Sequence, residues 1–181
     1  MPKIVLIQSS LNPRSRTAIV LEETRKKLVE RGTEAEILDL RDYDIPFCDG
    51  RSLDEYPESV QRIRPILESA DAFIIGFPVY MYTFSGVVKN FLDIFSSYFE
   101  RKICGIVMNA GGSNCYLASR DLINSMNFEV GTVFVQPTVY SYSSHFDETK
   151  TRLESEYVLN KIDQMIDSLL NSLGQTLSIS A

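Results

Sequence analysis

The chain has 181 residues and a formal net charge of −6, with 44% hydrophobic and 23% charged residues. These values are typical of one globular domain with a sizeable core, and the acidic balance argues against nucleic acid or an anionic membrane as a partner. No apolar run approaches the ~20 residues of a membrane span, and we expect no leader peptide. Three scattered cysteines and one histidine offer neither a disulfide framework nor a metal-ligand spacing, so we expect no metal and a reducing, cytoplasmic location.

The N-terminal segment combines a strand, a polar loop and a helix. Residues 4–7 form an apolar run typical of a buried parallel strand, Asn12 and Pro13 signal a turn, and helical spacing begins at Ser15. The first turn of a helix has unpaired N–H groups and the positive end of the helix dipole, which suits a phosphate. The side chains that could add donors are Ser10, Ser15, Thr17, Arg14 and Arg16. A plain N-cap with solvated arginines is the alternative, and the loop has neither the dinucleotide-binding nor the P-loop glycine pattern.

Apolar strand patterns alternate with helical spacing along the rest of the chain. We predict further strands at 37–40, 72–77, 103–108 and 132–135, and helices at about 57–69, 84–99 and 113–126, before a last helix with an apolar stripe from Val158 to Leu173. This alternation indicates an α/β fold with a doubly wound parallel sheet, and five strands favour the flavodoxin-like order 2-1-3-4-5, with helices on both faces. We expect residues 1–173 to form one domain and residues 174–181 to be a frayed tail.

Ligands of such a sheet bind beyond the carboxyl ends of its central strands, where three loops qualify. The first is the polar loop at 8–17. The second, at 77–86, carries Tyr80 and Tyr82, whose rings could contact a planar ligand or simply cap the core. The third, at 109–114, contains two glycines that let the backbone approach a ligand. We expect a helix directly after it, whose N-terminal dipole would stabilise negative charge, although an ordinary turn is the alternative.

These segments resemble the NADPH-dependent FMN reductase family of flavodoxin-like proteins, which includes quinone, azo-dye and chromate reductases. The resemblance is carried by residues 9–17, 76–80, 85–93 and 109–113, and residues 39–46 also resemble the family's segment after the second strand. Its most specific part is Pro-x-Tyr at 78–80 followed by Gly-x-x-Lys-Asn at 86–90. The similarity covers nearly the whole chain up to about Pro137.

The resemblance implies an enzyme that passes hydride from NAD(P)H to FMN and then electrons to a small acceptor. That acceptor would be a flavin, a quinone, an azo compound or a metal oxyanion. No catalytic side chain is required, because the flavin carries the chemistry. Relatives commonly form homodimers or homotetramers, so a homo-oligomer is implied as well.

The resemblance also implies which residues bind FMN. The phosphate would be held by Ser10, Arg14, Ser15, Arg16 and Thr17, the isoalloxazine ring would lie along Pro78, Val79, Tyr80 and Met81, and Asn109, Gly111 and Gly112 would line its other edge. The chain departs from the family at Ser9, which is often glycine, at Asn12, which is often arginine, and at Ser85, which is commonly proline. Which arginine contacts the phosphate therefore stays open.

Two other functions are compatible with the sequence. A flavodoxin-type electron carrier would bind FMN without oxidising NAD(P)H, but the phosphate loop lacks the T-x-T-G-x-T pattern and the chain has no tryptophan. A flavin-free binding or sensor domain would give a colourless protein. Cys115 could be a redox thiol and His145 could reach the ring, with a packed side chain and a surface histidine as the ordinary alternatives.

Overall fold

A parallel β-sheet forms the centre of the fold. The computed structural model describes residues 1–179, with side chains through residue 175. The strands are β1 (Lys3–Gln8), β2 (Glu34–Asp39), β3 (Ala72–Pro78), β4 (Ile103–Ala110), β5 (Val133–Phe134) and β6 (Val139–Tyr142). Their order is β2-β1-β3-β4-β5, β6 also pairs with β4, and every pairing is parallel. The predicted order 2-1-3-4-5 is confirmed.

The strand predicted at 132–135 holds only one piece, the two-residue β5, and a second piece, β6, which was not predicted, follows it. β5 pairs with Ile103 and Cys104, at the start of β4, whereas β6 pairs with residues 107–110 at its end. Pro137 lies between the pieces and has no N–H to donate, so it cannot continue the ladder. As a result β6 lies beside the carboxyl end of β4, where ligands of this fold bind.

Six helices surround the sheet. They are α1 (Arg16–Glu30), α2 (Glu58–Gln61), α3 (Arg64–Glu68), α4 (Gly86–Phe95), α5 (Arg120–Val130) and α6 (Glu156–Ile179). The single helix predicted at 57–69 is two short helices, because Pro65 cannot donate to the carbonyl four residues before it and instead occupies the first turn of α3. The predicted tail begins inside α6, and residues 180–181 lie outside the described residues.

The helix predicted at 113–126 begins later than expected, at Arg120. Ser113 and Asn114, whose side chains hydrogen-bond at 3.2 Å, favour turns over helix. The helix predicted at 84–99 is α4 followed by a 3-10 turn at Ser96–Phe99. The glycine loop is thus followed by irregular chain and not directly by a helix.

Two apolar cores lie on opposite faces of the sheet. α1 and α6 cover one face, and α2 to α5 cover the other, where Phe73, Phe91 and Phe99 are buried together. A Cβ at Gly76 would lie only 2.4 Å from Cδ1 of Leu21, so glycine lets α1 approach β3 closely. This packing sets the N-terminus of α1 beside the end of the central strands.

Candidate functional site

A cavity of about 330 Å³ lies at the carboxyl ends of β1, β3 and β4. The three loops predicted from the sequence meet there, because these strands are neighbours in the sheet. The predicted residues that line it are Ser10, Arg14, Ser15, Arg16, Thr17, Pro78, Val79, Tyr80, Asn109 and Gly111. Met81 and Gly112 belong to the same loops but do not line the cavity.

The first loop presents unpaired donors to this cavity. Ser15 is the N-cap of α1, and its Oγ accepts a hydrogen bond from the N–H of Ala18 at 3.1 Å. The N–H groups of Arg16 and Thr17 have no hydrogen-bond partner among the described residues. The hydroxyls of Ser10 and Thr17, in residues only 3% and 1% exposed, also lack a partner within that part of the chain. Unpaired N–H groups in the first turn of a helix, with hydroxyls beside them, favour a negatively charged ligand, so this group fits an anion.

Buried polar groups fix the path of the first loop. Gln8, which is fully buried, accepts the N–H of Ser10 at 2.6 Å and donates to Asp39 at 3.0 Å. Ser9 donates its hydroxyl to the carbonyl of Gly76 at 2.8 Å. Burial alone would raise the pKa of Asp39, but hydrogen bonds from Arg41 and Gln8 outweigh it and lower that pKa. Sequence reasoning did not assign a role to Gln8 or Ser9.

The two arginines of the loop have different surroundings. The Arg16 guanidinium donates to the hydroxyl of Ser143 and lies 5.8 Å from the ring centroid of Phe146. The Arg14 guanidinium has no hydrogen bond or ion pair among the described residues. Arg16 is therefore held by the protein, whereas Arg14 is free to contact a ligand.

The glycine loop is held by β6 and the residues after it. Tyr140 donates its hydroxyl to the carbonyl of Gly112, and Ser143 donates to the carbonyl of Gly111 at 2.9 Å. Asn109 donates to Ser141 Oγ at 2.8 Å. The N–H groups of both glycines make no hydrogen bond within the described residues, and an added Cβ on either would meet nothing within 4 Å.

The glycine-loop amides thus remain available to a ligand. The predicted contribution of a following helix dipole is wrong, since α5 begins only at Arg120 and a helix dipole acts within about one turn. Any stabilisation of negative charge here must come from the amides themselves.

The second loop is a tight turn that projects from the sheet. Val79 donates its N–H to the carbonyl of Asn109 at 2.8 Å, which ties the loop to β4. Tyr80 and Thr83 exchange two backbone hydrogen bonds of 3.1 Å, and between them Met81 and Tyr82 have φ angles of 49° and 62°. Left-handed backbone at two successive non-glycine residues is strained, which is common where function requires it. Tyr80 is 58% exposed and lines the cavity.

The remaining candidates lie away from this cavity. His145 and Tyr142, whose ring centroids are 4.0 Å apart, line another cavity of about 580 Å³. Burial lowers the pKa of His145 below its ordinary 6.5, so the ring is neutral near pH 7. Cys115 is half-buried, and its N–H donates to Tyr140 at 3.2 Å. Neither His145 nor Cys115 lines the cavity between the three loops.

Sequence reasoning missed the support supplied by Tyr140, Ser141 and Ser143. The signal was present, because these hydroxyls follow a strand that neighbours β4 in the predicted order. Searched over the described residues, no group of three His, Cys, Asp or Glu side chains is placed to hold a metal ion. None of the helices there has both the length and the hydropathy required to cross a lipid bilayer.

Comparison with known proteins agrees with this geometry. The family described as NADPH-dependent FMN reductase matches residues 2–147. An NAD(P)H-dependent FAD/FMN reductase of Geobacillus thermodenitrificans is 30% identical over 155 residues, covering 83% of each chain. An FMN-dependent NADPH-azoreductase of Staphylococcus aureus is 24% identical over 94% of this chain and 96% of its own.

A solved NADH:FMN oxidoreductase in its apo form has a similar fold, with a TM-score of 0.76 at 20% identity over 95% of this chain and 90% of that one. The family match and the relatives do not favour the electron-carrier alternative. The chain belongs to the NADPH-dependent FMN reductase family, whose members are flavoenzymes that use FMN and take electrons from NAD(P)H.

Proposed function

We propose that the chain passes electrons from NAD(P)H through FMN, bound in the 330 Å³ cavity, to a small organic acceptor. The observation that carries this proposal is that unpaired donors of the first and third loops lie beside one cavity, which the second loop also lines. Unpaired donors at a helix N-terminus and in a glycine loop favour an anionic or polar ligand. The predicted binding residues other than Met81 and Gly112 line that cavity.

The phosphate of FMN is assigned to the first loop. The N–H groups of Arg16 and Thr17 and the hydroxyls of Ser10 and Thr17 donate to it, and the free guanidinium of Arg14 adds a charge-assisted hydrogen bond. Arg16 supplies positive charge from its fixed position beside Ser143. This assignment favours Arg14 as the arginine that contacts the phosphate.

The second and third loops hold the ring system. Pro78, Val79 and Tyr80 line the cavity from the second loop, and Asn109 and Gly111 line it from the adjacent third loop. When bound, FMN supplies the redox chemistry by accepting a hydride and releasing electrons to the acceptor. The amides of the glycine loop would stabilise negative charge on the ring, because their N–H groups are unpaired and their loop is held in place by Tyr140 and Ser143.

The acceptor is proposed to be a planar apolar compound such as a quinone or an azo compound. A cavity of about 390 Å³ adjoins the flavin cavity and shares Tyr80 with it. Its walls are mainly apolar and include Leu11, Tyr43, Ile45 and Phe47. A metal oxyanion would lose its hydration there without gaining charged partners, so this surface disfavours it.

The proposal is tested on purified protein with added FMN. We expect bound flavin by absorbance, bleaching of its visible band on anaerobic addition of NADPH, and recovery of the band on addition of a quinone or an azo dye but not chromate. Flavin that binds but is not reduced by NADPH or NADH contradicts the reductase activity. Failure to bind FMN contradicts the site assignment as well.

We also propose a cytoplasmic homo-oligomer. The three cysteines are free, which agrees with a reducing compartment. Phe47, Met81 and Tyr82 are exposed by 85%, 92% and 69% beside the flavin cavity, and a second subunit would cover this apolar surface. Light scattering coupled to size-exclusion chromatography tests it, and a monomeric mass at micromolar concentration contradicts it.

A further inference from the structure

Beside the flavin cavity lies a second, larger cavity of about 790 Å³, which adjoins the phosphate loop. It shares Asn12, Arg14, Ser15 and Arg16 with the flavin cavity. Its other walls are the exposed side of α1 and the segment 149–151. The two cavities therefore meet at the end of the flavin site that we assign to the phosphate.

The lining of this second cavity is cationic although the chain is acidic overall. Its cationic side chains are Arg14, Arg16, Lys26, Arg41 and Lys150, and its carboxylates are Glu22 and Glu23. Both carboxylates are already engaged, because Glu22 pairs with Arg25 at 2.7 Å and Glu23 pairs with Lys26 at 2.8 Å. Arg14, Arg16 and Lys150 have no carboxylate partner among the described side chains. The unpaired charge in the cavity is positive and favours an anion.

The segment that carries Lys150 has a defined shape. The Asp147 carboxylate accepts the N–H groups of Thr151 and Arg152 at 2.7 and 2.8 Å, and also the hydroxyl of Thr149. The hydroxyl of Thr149 and these N–H groups hold the pKa of Asp147 well below its ordinary range. Lys150 has a φ of 59°, a left-handed conformation that is unfavourable for a residue other than glycine. The hydrogen bonds to Asp147 keep this lysine on the cavity wall despite that cost.

We propose that this cavity binds the phosphorylated adenosine half of a dinucleotide. This proposal rests on the proposed function, because the other half of the dinucleotide would lie at the flavin cavity. Lys150, whose Nζ donates to the carbonyl of Phe146 at 3.5 Å, would contact a phosphate group, with Arg14 at the boundary that the two cavities share. Pro13, Ala18 and Ile19 provide apolar surface for the adenine ring. The volume of about 790 Å³ is within the ~300–1,000 Å³ of small-molecule sites. Two dinucleotides carry this chemistry: NADPH through its 2′-phosphate, and FAD through the adenylate attached to its flavin phosphate.

The first experiment titrates FMN-loaded protein with 2′,5′-ADP and with 5′-AMP by calorimetry. Lys150→Gln is compared with Arg152→Gln, a matched control on the same segment that pairs with Glu154 and does not line the cavity. If NADPH is the source, 2′,5′-ADP binds more tightly than 5′-AMP, and Lys150→Gln raises the KM for NADPH about fivefold without changing the KM for NADH.

The second experiment measures FAD binding to flavin-free protein. If FAD is the source, FAD binds at least as tightly as FMN, and Lys150→Gln weakens FAD about fivefold while FMN affinity is unchanged. The proposal is overturned if neither 2′,5′-ADP nor 5′-AMP binds and if Lys150→Gln has the same KM for NADPH and the same affinity for FAD as Arg152→Gln. Normal FMN binding in those variants leaves the proposed function standing, whereas loss of FMN binding in the unaltered protein overturns both.

Discussion

Ser143 connects two loops of the proposed flavin site, and its removal gives the sharpest test of the site geometry. Its hydroxyl accepts a hydrogen bond from Arg16 and donates to the carbonyl of Gly111 at 2.9 Å. A hydrogen bond to a charged group contributes about 1.5–3 kcal/mol, and a neutral one about 0.5–1.5 kcal/mol. Partial exposure reduces both values, so we expect Ser143→Ala to weaken FMN binding by about 1–2 kcal/mol, or roughly five- to thirtyfold.

The assay compares FMN with riboflavin, which lacks the phosphate, by quenching of flavin fluorescence. Arg16 acts on the phosphate, so the loss should be larger for FMN than for riboflavin. Ser144→Ala is the matched control, because Ser144 is exposed and makes no hydrogen bond within the described residues. Equal losses for the two flavins, or the same FMN affinity in both variants, would refute the role of Ser143 in positioning Arg16.

Three further variants test other parts of the structure. Arg14→Met should weaken FMN binding about tenfold or more and leave riboflavin binding unchanged, since a charge-assisted hydrogen bond to the phosphate is lost; equal effects on both flavins would contradict this. Ser85→Ala should leave the melting temperature unchanged or raise it, because the buried hydroxyl has no partner in the described structure and makes no cap hydrogen bond to α4; a loss near the ~1 kcal/mol of an ordinary N-cap would argue otherwise. His145 has a folded-state pKa below its ordinary 6.5, so the unfolded chain binds the proton more readily and stability should fall as the pH drops below 6.5. The free energy of unfolding, measured with urea at several pH values, should depend less steeply on pH below 6.5 in His145→Gln than in the unaltered protein. An unchanged pH dependence would rule out this contribution.

Much of the sheet could be predicted because its central strands are buried on both faces. β3 and β4 are buried throughout, and such strands appear as short continuous apolar runs. The connections between them leave few possible strand orders. The division of the fifth strand was not predicted, since an apolar pattern at 132–135 does not indicate which end of β4 each piece contacts.

The three loops of the site could be predicted from strand order, whereas the individual contacts that support them could not. Loops after neighbouring parallel strands meet at one edge of the sheet, which is a general rule. By contrast, the attachment of Arg16 to Ser143 depends on the position of β6, and no local pattern encodes that contact. The late start of α5 was missed because apolar spacing extends into a region where Ser113 and Asn114 favour a turn.

The support of the site by residues 140–143 has a consequence for the order of events during synthesis. Ser143 follows Arg16 by 127 residues, and Tyr140 follows Gly112 by 28. The phosphate loop and the glycine loop therefore leave the ribosome before the segment that fixes both of them. Because a ligand stabilises only the state that binds it, FMN selects chains in which this late segment has docked. Flavin binding would thus report that synthesis has passed residue 143 and that this segment has docked on the two loops.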